Sequence, residues 1–363
     1  MADRLFKKGS VKKSVNCLCR KGQNGDPAWK KSCSWDFRGD TWTNEEFKTI
    51  ECKDKNYKLE DGSGDDDIIE DKFEFSGDNE IVEEKYEYSV WGVNSDGEIL
   101  YKSTGSETDM WESIQGPGKH ANLGFKQIEV GNLGVFGVDS RAEIYYRVGT
   151  NNNFSSGTEW QRISAPMWLA HVSVGDNSVW GVDRLGFVHE MTNIGFDDEG
   201  KLLQPRWVRI DTSFTLDNVS VHKGSIWGVN IRSGSVYRTF YKRSTAIYPS
   251  RILNPKNGAV AFKQVEISEL GVFCVDFEDN IFYRVGTHNN PNTAGIAWQK
   301  LDGKLNYISS GHSTAWGVDD DDSIFKMVDI SFDDKGEISF KWQQVEGKLK
   351  NVSIIENEVE PSK

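Results

Sequence analysis

Two arginines in matched surroundings carry the clearest chemical potential in this 363-residue chain. Arg147 closes the run IYYRVGT and Arg284 the run IFYRVGT, and amide-rich loops follow, NNN beginning at Asn151 and HNN centred on Asn289. A guanidinium can grip a carboxylate or phosphate through two parallel bonds, and side-chain amides add donors and acceptors for hydroxyl groups. That set suits a polyhydroxylated or acidic ligand. Trp111, Trp160, Trp207, Trp298 and Trp342 each open a run after a variable loop, and an indole offers the flat apolar face that a sugar's C–H surface needs. The plainer duties are structural: a solvated or stacked Arg at a strand end, an indole packed between sheets.

Other residues fit poorer chemistry. The acidic turns FDDEG (196–200) and FDDKG (332–336), with DDDD at 319–322, hold carboxylates that could take calcium. Paired Asp before Gly more often makes a hairpin turn, and no spacing matches a helix-loop-helix calcium loop. The expectation is therefore no cofactor, calcium being the exception to watch. Six scattered His and no recurring Ser, His and acid together argue against an enzyme.

The elements that must position these residues follow from a repeat. VWGVN (90–94), VFGVD (135–139), VWGVD (179–183), IWGVN (226–230), VFCVD (272–276) and AWGVD (315–319) place an aromatic at Trp91, Phe136, Trp180, Trp227, Phe273 and Trp316, with spacings of 45, 44, 47, 46 and 43. Within a period, AHVSVG, SVWGVD, GFVHEM and RWVRI read as short strands bounded by turn residues. Four antiparallel strands cannot bury both faces alone, so six copies imply an all-β, six-bladed β-propeller of four-stranded blades. The mid-strand aromatics are expected in the core, and the Asn or Asp closing each motif in a turn. A second period overlies the first, since GFKQIEVGNLGVFGVDSRAEIYYRVGTNNN (124–153) returns as AFKQVEISELGVFCVDFEDNIFYRVGTHNN (261–290), shifted by 137. Ligand sites should come at least in pairs. The first copy lacks a clear leading strand, which NVSII (351–355) can supply to close the ring.

The repeat, VSVG followed by VWGV with Asn or Asp, then IYYR, then Trp, resembles the tectonin repeat of the tectonin, fish-egg lectin and tachylectin-like family over residues 90–355. The resemblance implies a multivalent carbohydrate-binding lectin for microbial surface glycans such as lipopolysaccharide, with a role in innate immunity and an extracellular or cell-surface setting. Three departures stand out. Cys274 replaces the Gly of the other motifs, Phe136 and Phe273 replace Trp, and the fourth copy carries YPSRIL (248–253) where the outer-strand Trp belongs.

Composition bounds the alternatives. Lys and Arg number 43 against 56 Asp and Glu, a net charge of −13, which disfavours a phosphate-neutralising grip on nucleic acid. No apolar run is long enough for a membrane span, and the opening MADRLFKKGSVKKSVNC lacks the apolar centre of a secretory signal, so a cytoplasmic, protein-interaction propeller is the rival reading. Oligomerisation is open. The chain divides into an N-terminal extension (1–58), an acidic linker (59–85) and the propeller (86–363). The extension holds Cys17, Cys19, Cys33 and Cys52, whose spacing fits two disulfides or free thiols and no zinc pattern. Thiol titration with and without reductant separates those states, with one reactive Cys remaining after denaturation if two bridges form and five if none do.

Overall fold

The computed structural model describes residues 15–21, 29–35 and 86–358, apart from 104–109, 118–123, 152–154, 166, 213 and 241–248. The chain separates into two units, Met1–Val82 and Glu83–Lys363. In the first, Val15–Lys21 and Trp29–Trp35 form an antiparallel hairpin whose register sets Cys17 opposite Cys33. Cys52, the boundary expected near residue 58 and the acidic linker lie outside the described residues.

The second unit is a β-propeller of six four-stranded antiparallel blades. The inner strands of blades one to six are Asn351–Glu358, Phe125–Gly131, Leu169–Val174, Asn218–His222, Phe262–Ile267 and Tyr307–Ser310. In blade two, Gly134–Asp139, Ile144–Arg147 and Trp160–Ile163 follow outward. Blade one joins the two ends of the array, because Asn351–Glu358 pairs with Tyr86–Val93 and sets Ser353 opposite Trp91.

The second strand of each blade is sandwiched between two neighbouring sheets, so it is apolar on both faces. All six residues of Gly134–Asp139 are buried, as are Trp91, Phe136, Trp180, Trp227, Phe273 and Trp316. The motif Gly has a steric cause. A Cβ on Gly181 would stand 2.8 Å from a methyl of Leu169, and one on Gly317 would stand 2.3 Å from Leu305. Each glycine therefore seats the large side chain that leads into its own blade. In blade five that side chain is Phe262, which packs on Phe282 and Trp298, and Cys274 stands where the other blades have Gly.

Each inner strand is a sheet edge, and its axis-side backbone groups have no ladder partner. The neighbouring blade satisfies them. The Asn351 carbonyl accepts from Ile128 N at 2.7 Å. Gln127 bonds both backbone groups of Val172, and His171 Nε2 donates to Val219 O at 2.8 Å. Asn218 accepts from Val265 N, and Gln264 bonds both groups of Ile308. Tyr307, the sixth member, reaches Gln127 and Asn351. A second rung lies two residues on: Ser353, Ser173, Ser220 and Ser309 hydroxyls accept from Val130, Val221, Ile267 and Ile354 N.

Where the second rung has no Ser it has Glu129 and Glu266, opposite one another in blades two and five, only 6% and 8% exposed. Glu266 accepts from Ser220 and Ser309 hydroxyls and from Ser310 N. Burial pushes its carboxyl up to about 8, against those bonds. Glu129 is raised well above the usual range by burial and by the charge of Glu266. Burial holds His171 down to about 4.

Two expectations follow for stability. Deleting residues 350–363 strips blade one of its inner strand and leaves Tyr86–Val93 as an open edge. The truncated protein should aggregate or lose its single cooperative melt, and a parent-like transition by circular dichroism would contradict this. The second concerns pH. A carboxyl raised in the folded state stabilises most below its ordinary 4.5, and that contribution fades as pH climbs toward about 8. His171 acts oppositely, its contribution fading as pH falls from 6.5 to about 4. Above pH 6.5 the two buried glutamates operate and His171 does not, so Glu266→Gln should gain melting temperature over the parent progressively from pH 6.5 to 8. Parallel melting curves across that range would refute the buried pair.

Candidate functional site

The Asn or Asp closing each motif makes its turn. Asp139 Oδ1 accepts from Arg141 N and Glu143 N at 3.0 and 2.8 Å, and Asp276 and Asp319 repeat the pattern. Asn94 does so in blade one. The acidic turns follow the same rule: Asp197 and Asp333 each bind backbone N–H groups two and four residues on. Their carboxylates are thus engaged as turn acceptors, and among the described residues no three His, Cys, Asp or Glu side chains converge to hold a metal ion. His189 Nε2, 2.9 Å from Asp183 Oδ2, ties a third strand to its turn.

Arg147 and Arg284 lie under their loops. They are 7% and 9% exposed. Arg147 Nε donates to Ser156 O at 2.8 Å and Nη2 to Gly157 O at 3.3 Å. Arg284 repeats this with Ala294 O at 2.7 Å and Gly295 O at 3.2 Å. Each guanidinium also stacks on the outer-strand Trp of its own blade, 5.4 Å from the Trp160 ring and 5.1 Å from the Trp298 ring. Stacking and backbone bonding together clamp the loop to the blade. Thr150 and Thr287 close its base, each accepting from the second strand, at Val135 N and Val272 N, and donating to the clamping Arg's carbonyl. Asn151 accepts from the Tyr146 hydroxyl, whereas Asn289 is exposed and held by its backbone N–H to Glu269 O. The structure thus pairs each Arg with a Trp and a loop: the stacked strand-end Arg that the sequence allowed is present, and the guanidinium expected to grip a ligand is spent on loop carbonyls.

The outer-strand tryptophans are all half-buried, and four of them pin adjacent blades. Trp160 Nε1 donates to Gln115 O, Trp298 to Leu253 O, Trp342 to Asp302 O and Trp111 to Glu346 O, at 2.8–3.0 Å. Trp207 Nε1 has no acceptor among the described residues. Blade four, without its Trp, supplies Leu253 O to blade five but sends no pin of its own. Those four indoles therefore spend their N–H on structure and stay half-exposed.

One platform lies outside every repeat register. Trp168, just before the inner strand of blade three, is 67% exposed. The Arg184 guanidinium sits 5.7 Å from its ring, and Arg184 N donates to Trp168 O. Leu185 is exposed beside it in sequence. An exposed indole held by a cation is a better stacking surface than any of the repeated tryptophans. Its only sequence signal is that it belongs to neither periodic Trp set.

Comparison with known proteins agrees with the repeat. The tectonin domain matches residues 85–184, 124–294 and 169–359. A fish-egg lectin of Cyprinus carpio is 34% identical over 97 residues, 25% of this chain and 39% of the relative, so the chain spans well under half the length of that curated relative. Among solved structures, one described as a nidogen/laminin complex is similar at a TM-score of 0.50 and 11% identity, covering 74% of this chain and 98% of that one. A chain of YCF48 bound to D1 peptide aligns at a TM-score of 0.42 and 12% identity, covering 70% and 76%. At such identities the likeness concerns the fold alone.

Because both guanidiniums are buried clamps, Arg147→Ala and Arg284→Ala should each cost about 1–3 kcal/mol, the range for losing charge-assisted hydrogen bonds to backbone. Thermal or denaturant melts read this directly. A variant as stable as the parent would mean that the loop holds without its Arg.

Proposed function

Since the chain belongs to the tectonin family, we propose that its propeller is a multivalent lectin for microbial surface glycans, lipopolysaccharide among them, working in innate defence outside the cell. The observation that carries this reading is the duplicated loop. On blades two and five, the same Arg stacks on a half-exposed outer-strand Trp and bonds the far end of an Asn-bearing loop, with Trp160 and Asn151 in one copy and Trp298 and Asn289 in the other. An indole edge with amide and backbone hydrogen-bonding groups suits a sugar ring, and Arg147 and Arg284 act as positioning residues that keep the loop in place. Trp111, Trp207 and Trp342 offer similar surfaces on other blades, and Trp168 with Arg184 adds a stacking platform. Single sugar contacts are weak, but two linked engagements raise avidity by roughly 10² to 10⁴ over one. Blades two and five face opposite directions around the ring, so a repetitive surface or a further oligomer would be needed to use both.

Binding to a glycan array and to immobilised lipopolysaccharide tests this directly. Asn151→Ala and Asn289→Ala should each reduce retention on a dense glycan surface, and the double variant should lose it. Trp168→Ala should weaken binding with no change in the melt, because its ring is largely solvent-facing. Retention by the double variant at the parental level would take the loops out of the site. If the array stays blank while a cytosolic protein is captured from lysate, the interaction-scaffold reading replaces the lectin.

A further inference from the structure

The axial channel holds a cavity of about 260 Å³ that the loop sites do not use. Glu129 and Glu266 face it with Ser173, Ser220, Ser309 and Ser353 at the same level, and Asp176, His222, Glu269, His312 and Glu356 surround its partly exposed mouth. Lys223 is the sole Lys or Arg among its lining residues, and it is paired with Glu269 at that mouth. No cation among the lining residues therefore serves the two buried glutamates. Buried carboxylates need a positive partner or must keep their protons, and their upward-shifted carboxyls are what such a pair does while nothing positive lies between them.

Unpartnered groups point to the rest of a ligand. The hydroxyls of Ser268 and Ser310, both more than nine-tenths buried, line this cavity and have no hydrogen-bond partner. His222 Nε2 also lacks one, lying 3.7 Å from Glu269. These groups stand between the glutamate level and the mouth. A lone metal ion satisfies neither them nor the volume, and among the described residues no three His, Cys, Asp or Glu side chains converge to hold one. A volume of about 260 Å³ corresponds to several waters at roughly 30 Å³ each, or to one molecule of about a dozen non-hydrogen atoms.

We propose that the axial cavity binds a small hydroxylated primary amine, of the size and kind of a hexosamine with a free amino group. The ammonium lies between Glu129 and Glu266, and hydroxyls of the ligand meet Ser268, Ser310 and His222 on the mouth side. The pair's pseudo-symmetry lets either carboxylate take the charge, while the serines that already donate to Glu266 hold it in place. This site is separate from the loops of blades two and five and does not depend on glycan binding there.

The test is calorimetric titration of the full chain at pH 7 with D-glucosamine, D-glucose, N-acetyl-D-glucosamine and calcium chloride. Glucosamine should bind one per chain and at least tenfold more tightly than glucose or the N-acetyl sugar, both of which lack the ammonium. Glu266→Gln and Glu129→Gln, isosteric with the parent, should each weaken glucosamine at least tenfold while melting at or above the parent. Ser268→Ala keeps both charges and should lose severalfold. The Asn151→Ala/Asn289→Ala double variant should bind glucosamine as the parent does, which separates this site from the loops. Equal affinity for glucose, undiminished binding by the Glu variants, no glucosamine binding by the parent, or calcium binding in its place would each overturn the proposal.

Discussion

Closing a ring of sheets leaves six edge strands facing an axis, and everything else in this propeller depends on how those edges are satisfied. Eight inner-strand N–H groups meet a side chain of the blade before them: Asn351, Gln127, Asn218 and Gln264 on the first rung, Ser353, Ser173, Ser220 and Ser309 on the second. Orphaned backbone groups cost as much as lost hydrogen bonds, so the polar residues of VSV-type strands do structural duty at the axis. They are also the reason the channel is polar, lined by oxygens and amides rather than by apolar side chains.

The rim obeys a second rule of the same kind. Outer strands carry a Trp whose indole N–H bonds a carbonyl of the preceding blade, so the seam is sewn at the axis by backbone-to-side-chain bonds and at the rim by Trp160, Trp298, Trp342 and Trp111. Between the two, the motif Gly seats the side chain that leads into each blade, Leu169 and Leu305 among them. Local geometry is therefore repeated where function is not required. What varies between blades is the loop, and the loops of blades two and five share a matched clamp, Arg147 or Arg284.

Much of this was legible in the sequence, for a physical reason. The WGV register is imposed by packing between sheets, so it survives as a spacing; Trp91, Trp180, Trp227 and Trp316 are buried where the repeat places them. The Asx turns at Asp139, Asp276 and Asp319 follow from their own chemistry. Arg147 and Arg284 read as ligand-gripping cations, or as solvated or stacked strand-end residues, because nothing in IYYRVGT shows that the following loop folds its Ser156 and Ala294 carbonyls back over the guanidinium. Trp168 went unread because it is not periodic. The glutamate pair left a trace, QIEVG and QVEIS standing where other blades have Ser at the same register. That trace was hidden by the ordinary alternation of polar and apolar residues in a strand.

Blade one is assembled from residues at the two ends of the propeller, with Asn351 in register with Val93 and Ser353 with Trp91. During synthesis the N-terminal partner leaves the ribosome long before its C-terminal complement exists, and every intervening blade has time to form. Loop closure over so long a chain is slow and late. The edge of Tyr86–Val93 therefore stays open through most of translation, which makes this the interval when nascent chains can pair with one another instead of with themselves.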